Sequence, residues 1–351
     1  MRLWYWLLAF VPVAVAAEFL GAAPIAVFAA SALAILPLST LLGDATEQLA
    51  GYAGPTVGGL LNATLGNLAE LIIAIFALRA GLIDLVKASI TGSIIGNLLL
   101  VLGAAQLVGG IKYKTQKFSA NLAGMNAALL VISAVGLIVP ALFHAAHPDP
   151  ERVRTVRMSE FVAVLLMSGY GLSLLYSMGT HRAGFSEAAH VAHAEESTTS
   201  WSLRRSIVVL LVVAAGIAFM SELLVGATQE SVRTLGLSEF FVGLIVVPII
   251  GNAAEHSAAV IMAARNRMDL AVGIAVGSSV QIALLVAPVL VFAGLLFGQP
   301  MDLAFSTFEV ASVALAVWIA STIVADAESN WLEGALLLAV YAILAVAFFF
   351  F

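Results

Sequence analysis

The sequence Gly66-Asn67-Leu68-Ala69-Glu70 occurs a second time in the chain, as Gly251-Asn252-Ala253-Ala254-Glu255. Each copy lies inside a long apolar run, so a carboxylate is placed deep in a segment that is otherwise suited to hydrocarbon. Such a carboxylate costs about 2.5–3.5 kcal/mol on insertion scales, which makes it a functional candidate by default. Capping or pairing with a neighbouring helix would account for one glutamate, but not readily for two copies of the whole motif.

The composition around the motifs is that of a membrane protein. Of the 351 residues, 62% are hydrophobic and only 10% are charged, whereas a soluble domain carries about 25% charged residues. Acidic residues outnumber basic ones 21 to 15, which excludes the basic surface of a nucleic-acid binder. Cysteine is absent, so disulfides, thiolate metal sites and cysteine nucleophiles are excluded.

The apolar runs predict eleven transmembrane helices, since a span needs about 20 residues and the loops are short. The first run follows Met1-Arg2 and could also be part of a signal peptide, but it is long enough to span. A hydrophilic segment, 181–201, contains His190 and His193 at metal-ligand spacing; we interpret it as a solvated linker. The predicted helices cover about 3–20, 24–40, 56–78, 82–108, 122–143, 158–178, 203–225, 240–264, 270–297, 305–325 and 331–351.

The two motifs belong to an internal repeat. Identical residues match at one constant offset, the 185 positions that separate Gly66 from Gly251, from Val57 as far as Val101 and without a gap. The copies lie on the third and eighth predicted helices. Because these helices are five apart in the chain, an odd number, the copies run in opposite directions through the bilayer. We therefore predict an all-α membrane protein with inverted repeats, as in secondary transporters. Its parts are an extra N-terminal helix (1–21), a five-helix unit (22–180), the linker (181–201) and a second five-helix unit (202–351).

A small excess of Lys and Arg on the side of the N-terminus predicts the orientation. The N-terminus and the linker would lie in the cytoplasm and the C-terminus outside, in the cell membrane of a prokaryote. Walker A, HExxH and GxSxG patterns are absent from the sequence, so it predicts neither an ATP-driven pump nor an enzyme of those classes.

The motif residues suit a hard cation. On a continuous helix the Gly, Asn and Glu of each motif share one face. The Gly lets the backbone approach an ion, the amide and carboxylate oxygens suit Ca²⁺, and Pro248 could break the eighth helix. Small polar residues on the following helices indicate close packing, around the site or simply between helices. The predicted ligands are Asn67, Glu70, Asn252 and Glu255, and the predicted supporting residues are Gly66, Gly251, His256, Ser93, Asn97, Ser278 and Gln281.

A second acidic set lies nearer the helix ends. It is consistent with vestibules that attract cations, and ordinary interfacial charge would give the same pattern. The members are Asp44, Glu47, Glu222, Asp326 and Glu328.

The paired motifs, with Gly92-Ser93-Ile94-Ile95-Gly96-Asn97 and the segment from Gly277 to Ala283, resemble the Ca²⁺/H⁺ exchanger family of the cation/Ca²⁺ antiporter superfamily. The resemblance covers essentially the whole chain. It implies Ca²⁺/H⁺ antiport by alternating access, with Glu70 and Glu255 as the carriers of cation and protons. Ca²⁺ and H⁺ are then substrates, no cofactor is implied, and the lipid bilayer is the partner, with a homo-oligomer left open. Exchange of Na⁺ or other divalent cations, and a passive cation channel, remain alternatives.

Overall fold

The computed structural model describes residues 3–147, 152–177 and 201–350, which are almost entirely helical. Most of the predicted linker, including His190 and His193, lies outside the described residues. A 3₁₀ segment, Leu3–Ala9, leads into the first helix. In chain order the helices and strands are α1 (Phe10–Phe19), α2 (Pro24–Leu65), α3 (Leu68–Arg79), α4 (Ile83–Ile95), α5 (Leu102–Tyr113), β1 (Thr115–Lys117), α6 (Ala120–Ala146), α7 (Val153–Leu175), α8 (Leu203–Leu235), α9 (Glu239–Phe241), α10 (Val247–Gly251), α11 (Ala253–Ala264), α12 (Met268–Gln281), α13 (Ala287–Phe297), α14 (Thr307–Ile323), β2 (Glu328–Asn330) and α15 (Trp331–Phe349).

The chain forms two compact units. The first unit comprises Met1–Ser89 and Ser197–Ala254, and the second comprises Ile90–Glu196 and Glu255–Phe351. These units do not coincide with the predicted repeats, because each combines parts of both. The division of the chain at the linker into two five-helix units stays a prediction.

The number of membrane spans depends on how broken helices are counted. Among the described residues, eight helices are long and apolar enough to cross a membrane. A ninth span results if Glu239–Gly251 and Ala253–Ala264, which meet at 63°, are counted as one. Tyr5–Phe19 is apolar but shorter. Helical residues occupy each of the eleven predicted segments, whereas eleven crossings and their inverted arrangement stay predictions.

Helix α2 in the first unit contains a reversal at Gly54. Gly54 has φ 76° and ψ 171°, a conformation that is open essentially to glycine alone. A Cβ on Gly58 would overlap the carbonyl oxygen of Ala50, although the two residues would lie about 12 Å apart along an uninterrupted helix. The chain therefore folds back without a loop. The second predicted helix, expected over about 24–40, extends to Gly54.

Two ion pairs join loops of the second unit. One lies beside β1 and β2, and the other joins the loops that precede α7 and α14. Strands β1 and β2 pair antiparallel, with Gln116 opposite Ser329. Beside them Lys117 Nζ lies 2.9 Å from Glu328 Oε1, and this hydrogen-bonded carboxylate raises the pKa of Lys117. The loop before α7 contributes Arg152, whose Nη1 lies 2.9 Å from Asp302 Oδ2 in the loop before α14. The Asp302 side chain is only 2% exposed, and its Oδ1 also accepts from the Ala304 backbone N–H at 2.9 Å.

Candidate cation site

The first motif lies at a break between two helices. Helix α2 ends at Leu65, and Asn67 has the non-helical angles φ −91° and ψ 17° before α3 begins at Leu68. Glu70 therefore occupies the first turn of α3, where unpaired backbone N–H groups give the helix end a partial positive charge. Its side chain is 2% exposed. The break thus places a carboxylate where helix geometry favours negative charge.

The second motif has the same local structure. Helix α10 ends at Gly251, Asn252 has φ −104° and ψ 14°, and Glu255 lies in the first turn of α11. Pro248 lies in the first turn of α10, directly after a π-helical segment, Val242–Val246, so the regular α-helix is interrupted next to the proline. The sharper break falls at Asn252, and each motif, placed on one predicted helix, is interrupted at its asparagine.

Within the first unit, the glycine of the second motif meets the glutamate of the first motif. A Cβ on Gly251 would lie 3.6 Å from both Cα and Cβ of Glu70 and 3.6 Å from Cδ1 of Ile73. The glycine of the second motif thus packs directly against the carboxylate-bearing residue of the first. Asn67 and Asn252 are both buried, at 3% and 2% exposed. The absence of a side chain at Gly251 keeps the backbone close to Glu70.

A hydrogen-bond chain surrounds Glu255 in the second unit. The hydroxyl of Ser278 bonds to the Glu255 carboxylate. Asn97 Nδ2 donates to Ser278 Oγ at 3.1 Å, and Asn97 Oδ1 lies 3.2 Å from His256 Nε2. An amide oxygen only accepts, so the His256 Nε2–H donates to Asn97. Every donor in the chain from His256 through Asn97 and Ser278 therefore points towards Glu255.

One oxygen of Glu255 stays available beside this chain. Its Oε2 is buried and accepts no hydrogen bond from the part of the chain that the structure describes. A buried carboxylate oxygen without a donor is costly unless it binds a proton or a cation. Groups of three or more His, Asp or Glu side chains suited to hold a metal do not occur among the described residues. A cation-binding role for Glu255 stays a prediction.

Two π-helical segments mark equivalent positions of the repeat. Gly96–Val101 joins α4 to α5, and Ile282–Val286 joins α12 to α13. Both segments end at the valines that the repeat aligns, Val101 and Val286. Such segments shift helix register and are frequent at functional sites. The first of them contains Asn97 and so orients the amide that links His256 to Ser278.

The other predicted residues are more scattered. Ser93 is buried on α4, and Gln281 is the last residue of α12. Asp44 accepts a hydrogen bond from Tyr5 Oη at 3.0 Å. Glu47 is exposed, and Glu222 lines a cavity of about 250 Å³ with Glu18.

Asp326 and Glu328 contribute to a turn and a strand. Asp326 Oδ1 accepts from the backbone N–H of Glu328 at 3.2 Å, and Glu328 is also the ion-pair partner of Lys117. These contacts order the segment before β2. A role for the two carboxylates in attracting cations stays a prediction.

Sequence reasoning missed a buried carboxylate in α14. Glu309 is 3% exposed, its Oε1 accepts from Thr91 Oγ1 at 3.1 Å, and its Oε2 accepts from the Ser306 backbone N–H at 2.8 Å. Ser306 and Glu309 form a capping box at the start of the helix. The Ser-x-x-Glu spacing before an apolar run was the signal that would have found it.

A polytopic helical protein with carboxylates in the first turns after two helix breaks has the architecture of a secondary ion transporter. Comparison with known proteins agrees. The chain is 44% identical to the Ca²⁺/H⁺ antiporter of Aphanothece halophytica, over 99% of this chain and 96% of that protein. It is 47% identical to the Ca²⁺/H⁺ antiporter of Synechocystis sp., over 98% and 96%. The family model described as sodium/calcium exchanger protein matches residues 23–179 and 205–350, and the chain belongs to this family.

Solved structures give the same result. The structure of native YfkE matches with a TM-score of 0.86 and 37% identity, over 99% of this chain and 100% of that one. The H⁺/Ca²⁺ exchanger CAX matches with a TM-score of 0.74 at 16% identity, over 99% and 91%. The second match is a likeness of fold.

Proposed function

We propose that the chain exchanges Ca²⁺ for H⁺ across a prokaryotic cell membrane by alternating access. The observation that carries this proposal is the pair of motif glutamates, Glu70 and Glu255, each in the first turn after a helix break at an asparagine. Relatives named Ca²⁺/H⁺ antiporters, at 41–47% identity over nearly the whole chain, support it.

Glu70 and Glu255 bind either Ca²⁺ or protons in this mechanism. Ca²⁺ takes six to eight oxygen ligands. Asn67 and Asn252 supply amide oxygens, and carbonyls at the ends of α2 and α10, which the breaks leave without intrahelical donors, supply more. Because two carboxylates balance the two charges of the ion, the site is neutral when loaded with Ca²⁺ and neutral when loaded with two protons. The empty, doubly ionised site is costly in low dielectric, so it seldom switches sides.

Eleven spans with inverted repeats, a cytoplasmic N-terminus and an external C-terminus belong to the same proposal. Eleven crossings put the loops of Lys117 and Glu328 on one side and the loops of Arg152 and Asp302 on the other. Each ion pair joins two loops that this topology assigns to the same side, which supports it. Single cysteines in place of Ser197 and Phe351 should label from opposite sides of the membrane. Labelling from one side would reject the odd number of spans.

The decisive experiment is Ca²⁺ uptake into proteoliposomes. An acidic lumen should drive saturable uptake, whereas a Na⁺-loaded lumen at equal pH should not. Na⁺-driven uptake would instead favour the exchange named in the family description, and unsaturable uptake without a gradient would favour a channel.

Two glutamine variants make the test specific to the site. Glu255→Gln keeps the shape of the side chain and removes its charge, so uptake should be lost while the protein still inserts. The matched control is Glu333→Gln, which changes the capping box of Asn330 at the start of α15. Because a capping box accepts Glu or Gln, the control should transport normally. Near-normal uptake by Glu255→Gln would contradict the assignment.

A further inference from the structure

Helix α2 carries three buried hydroxyls that make no hydrogen bond within the described residues: Ser31, Ser39 and Thr46. They are 0%, 4% and 1% exposed. A helical hydroxyl in apolar surroundings usually bonds to the carbonyl four residues back. Thr40 of the same helix does so, with Leu36 O at 3.1 Å. The three buried hydroxyls are therefore oriented for partners other than their own helix.

These hydroxyls share one face of the helix. Their spacings of eight and seven residues are close to two helical turns. From Ser31 to Thr46 the helix rises about 22 Å, most of the roughly 30 Å of a hydrocarbon core. We call this row, Ser31, Ser39 and Thr46, the hydroxyl seam. It lies within the first unit.

A cavity lies near one end of the hydroxyl seam and an exposed carboxylate near the other. Near its start is a cavity of about 250 Å³, which is lined by Pro24, about two turns before Ser31, and by Val27, about one turn before it. Two exposed carboxylates, Glu18 and Glu222, line the same cavity and attract cations, including hydronium. At the other end, one residue beyond Thr46, is the exposed Glu47.

A contact with the second motif interrupts the hydroxyl seam. Gly43 lies one turn after Ser39 and just under a turn before Thr46. A Cβ on Gly43 would lie 3.8 Å from Cβ of Ala254, the residue before Glu255 in the sequence. This packing leaves no space for a water molecule between the two residues.

We propose that the hydroxyl seam binds water molecules and forms two proton-conducting half-paths, separated at the contact of Gly43 with Ala254. Buried polar groups bind ordered water where it satisfies them. Each water molecule accepts a proton from one neighbour and donates another to the next. A proton therefore moves along the row while every water and hydroxyl keeps its composition. The interruption prevents a proton leak across the whole membrane, and both half-paths end at Ala254 of the second motif. The direction of proton flow rests on the proposed exchange, whereas the hydration does not.

Silver ions test the hydration directly, since Ag⁺ enters narrow aqueous paths and reacts with thiols. The chain has no cysteine, so Ser31→Cys, Ser39→Cys and Thr46→Cys can each be followed without background. The matched control is Ser133→Cys. Ser133 is also buried, at 3% exposed, but its hydroxyl donates to Leu129 O of the same helix at 2.8 Å. Purified variants are reconstituted in vesicles of known orientation, exposed to AgNO₃ from one side, and their remaining thiols are counted after denaturation.

We expect Ser31→Cys and Ser39→Cys to react from the side of the membrane on which α2 begins, at Pro24. Thr46→Cys should react from the opposite side, where α2 reverses at Gly54. Each should react at least about tenfold faster than the control, as expected for hydrated against closely packed positions. Reaction of all three at the control rate would show a dry interface and overturn the proposal. Reaction of all three from the same side would show that the seam is not interrupted and would contradict the two half-paths. Neither the rate nor the side of the silver reaction depends on Ca²⁺ transport. Failure of the hydration proposal can therefore be told apart from failure of the proposed exchange.

A second measurement addresses proton delivery. Ser39→Ala removes one hydroxyl from the seam and no ligand of the cation site. Uptake should slow severalfold at an unchanged KM for Ca²⁺, and its solvent deuterium isotope effect should increase. An unchanged rate with an unchanged isotope effect would contradict a role in proton conduction.

Discussion

The proposed pairing of two carboxylates with one Ca²⁺ predicts the equilibrium that the protein can sustain. Each proton gains about 1.36 kcal/mol per unit of pH difference, so two protons gain about 2.7 kcal/mol. That energy balances a hundredfold ratio of free Ca²⁺. A lumen one pH unit more acidic than the bath should therefore accumulate Ca²⁺ about a hundredfold. Because the cycle moves no net charge, this ratio should not depend on the membrane potential.

The measurement is the external Ca²⁺ concentration at which proteoliposomes show no net flux. The lumen contains a Ca²⁺ indicator, and K⁺ with valinomycin sets the potential. If His256 or Glu222 carried a third proton, one charge would move per cycle and the ratio at zero potential would be about a thousandfold. The null point would then shift by about 2.3 kcal/mol per 100 mV. Either result would refute the two-carboxylate mechanism.

Three further perturbations follow from the contacts. Ser278→Ala removes the donor to Glu255 and should raise the KM for Ca²⁺ roughly tenfold. A hydrogen bond to a charged group contributes about 1.5–3 kcal/mol, of which water replaces part. An unchanged KM would show that the hydrogen-bond chain through Ser278 does not affect Ca²⁺ binding. Arg152→Ala removes the positive charge beside buried Asp302 and should lower the unfolding free energy by about 1.5–3 kcal/mol, less than for a fully buried pair because the arginine is 54% exposed. Adding Asp302→Asn should recover most of this loss in thermal or denaturant unfolding, and no recovery would show that the cost lies elsewhere. Gly58→Ala should destabilise the protein more than Gly59→Ala, because only the first adds an atom that overlaps Ala50; equal midpoints would contradict the tight reversal of α2.

The duplicated motif contained much of the site information. Its offset located Glu70 and Glu255, and composition gave the membrane class. Residue spacing alone did not show that each helix stops at the asparagine, because the rest of the motif is compatible with a continuous helix. The capping box of Glu309 had a sequence signal, but its burial depends on the packing of α14 against Thr91.

Contacts between distant segments were beyond sequence reasoning. The pairing of Arg152 with Asp302 depends on how two loops are positioned by the helices that carry them. The π-helical segment around Asn97 has no residue signature in its own leucine-rich sequence. The orientation of His256 towards Asn97 follows from that segment, so it could not be inferred from the position of the histidine on α11.

The hydrogen-bond chain from His256 to Glu255 has a mechanical consequence. The two residues are neighbours on α11 and project about 100° apart, yet both are tied to the same pair, Asn97 and Ser278. A clockwise turn of α11 about its axis would stretch one tie, and an anticlockwise turn would stretch the other. The helix that carries Glu255 is thus held against torsion in both senses. In the proposed exchange, a change in the charge of this carboxylate would then leave the direction in which it points unchanged.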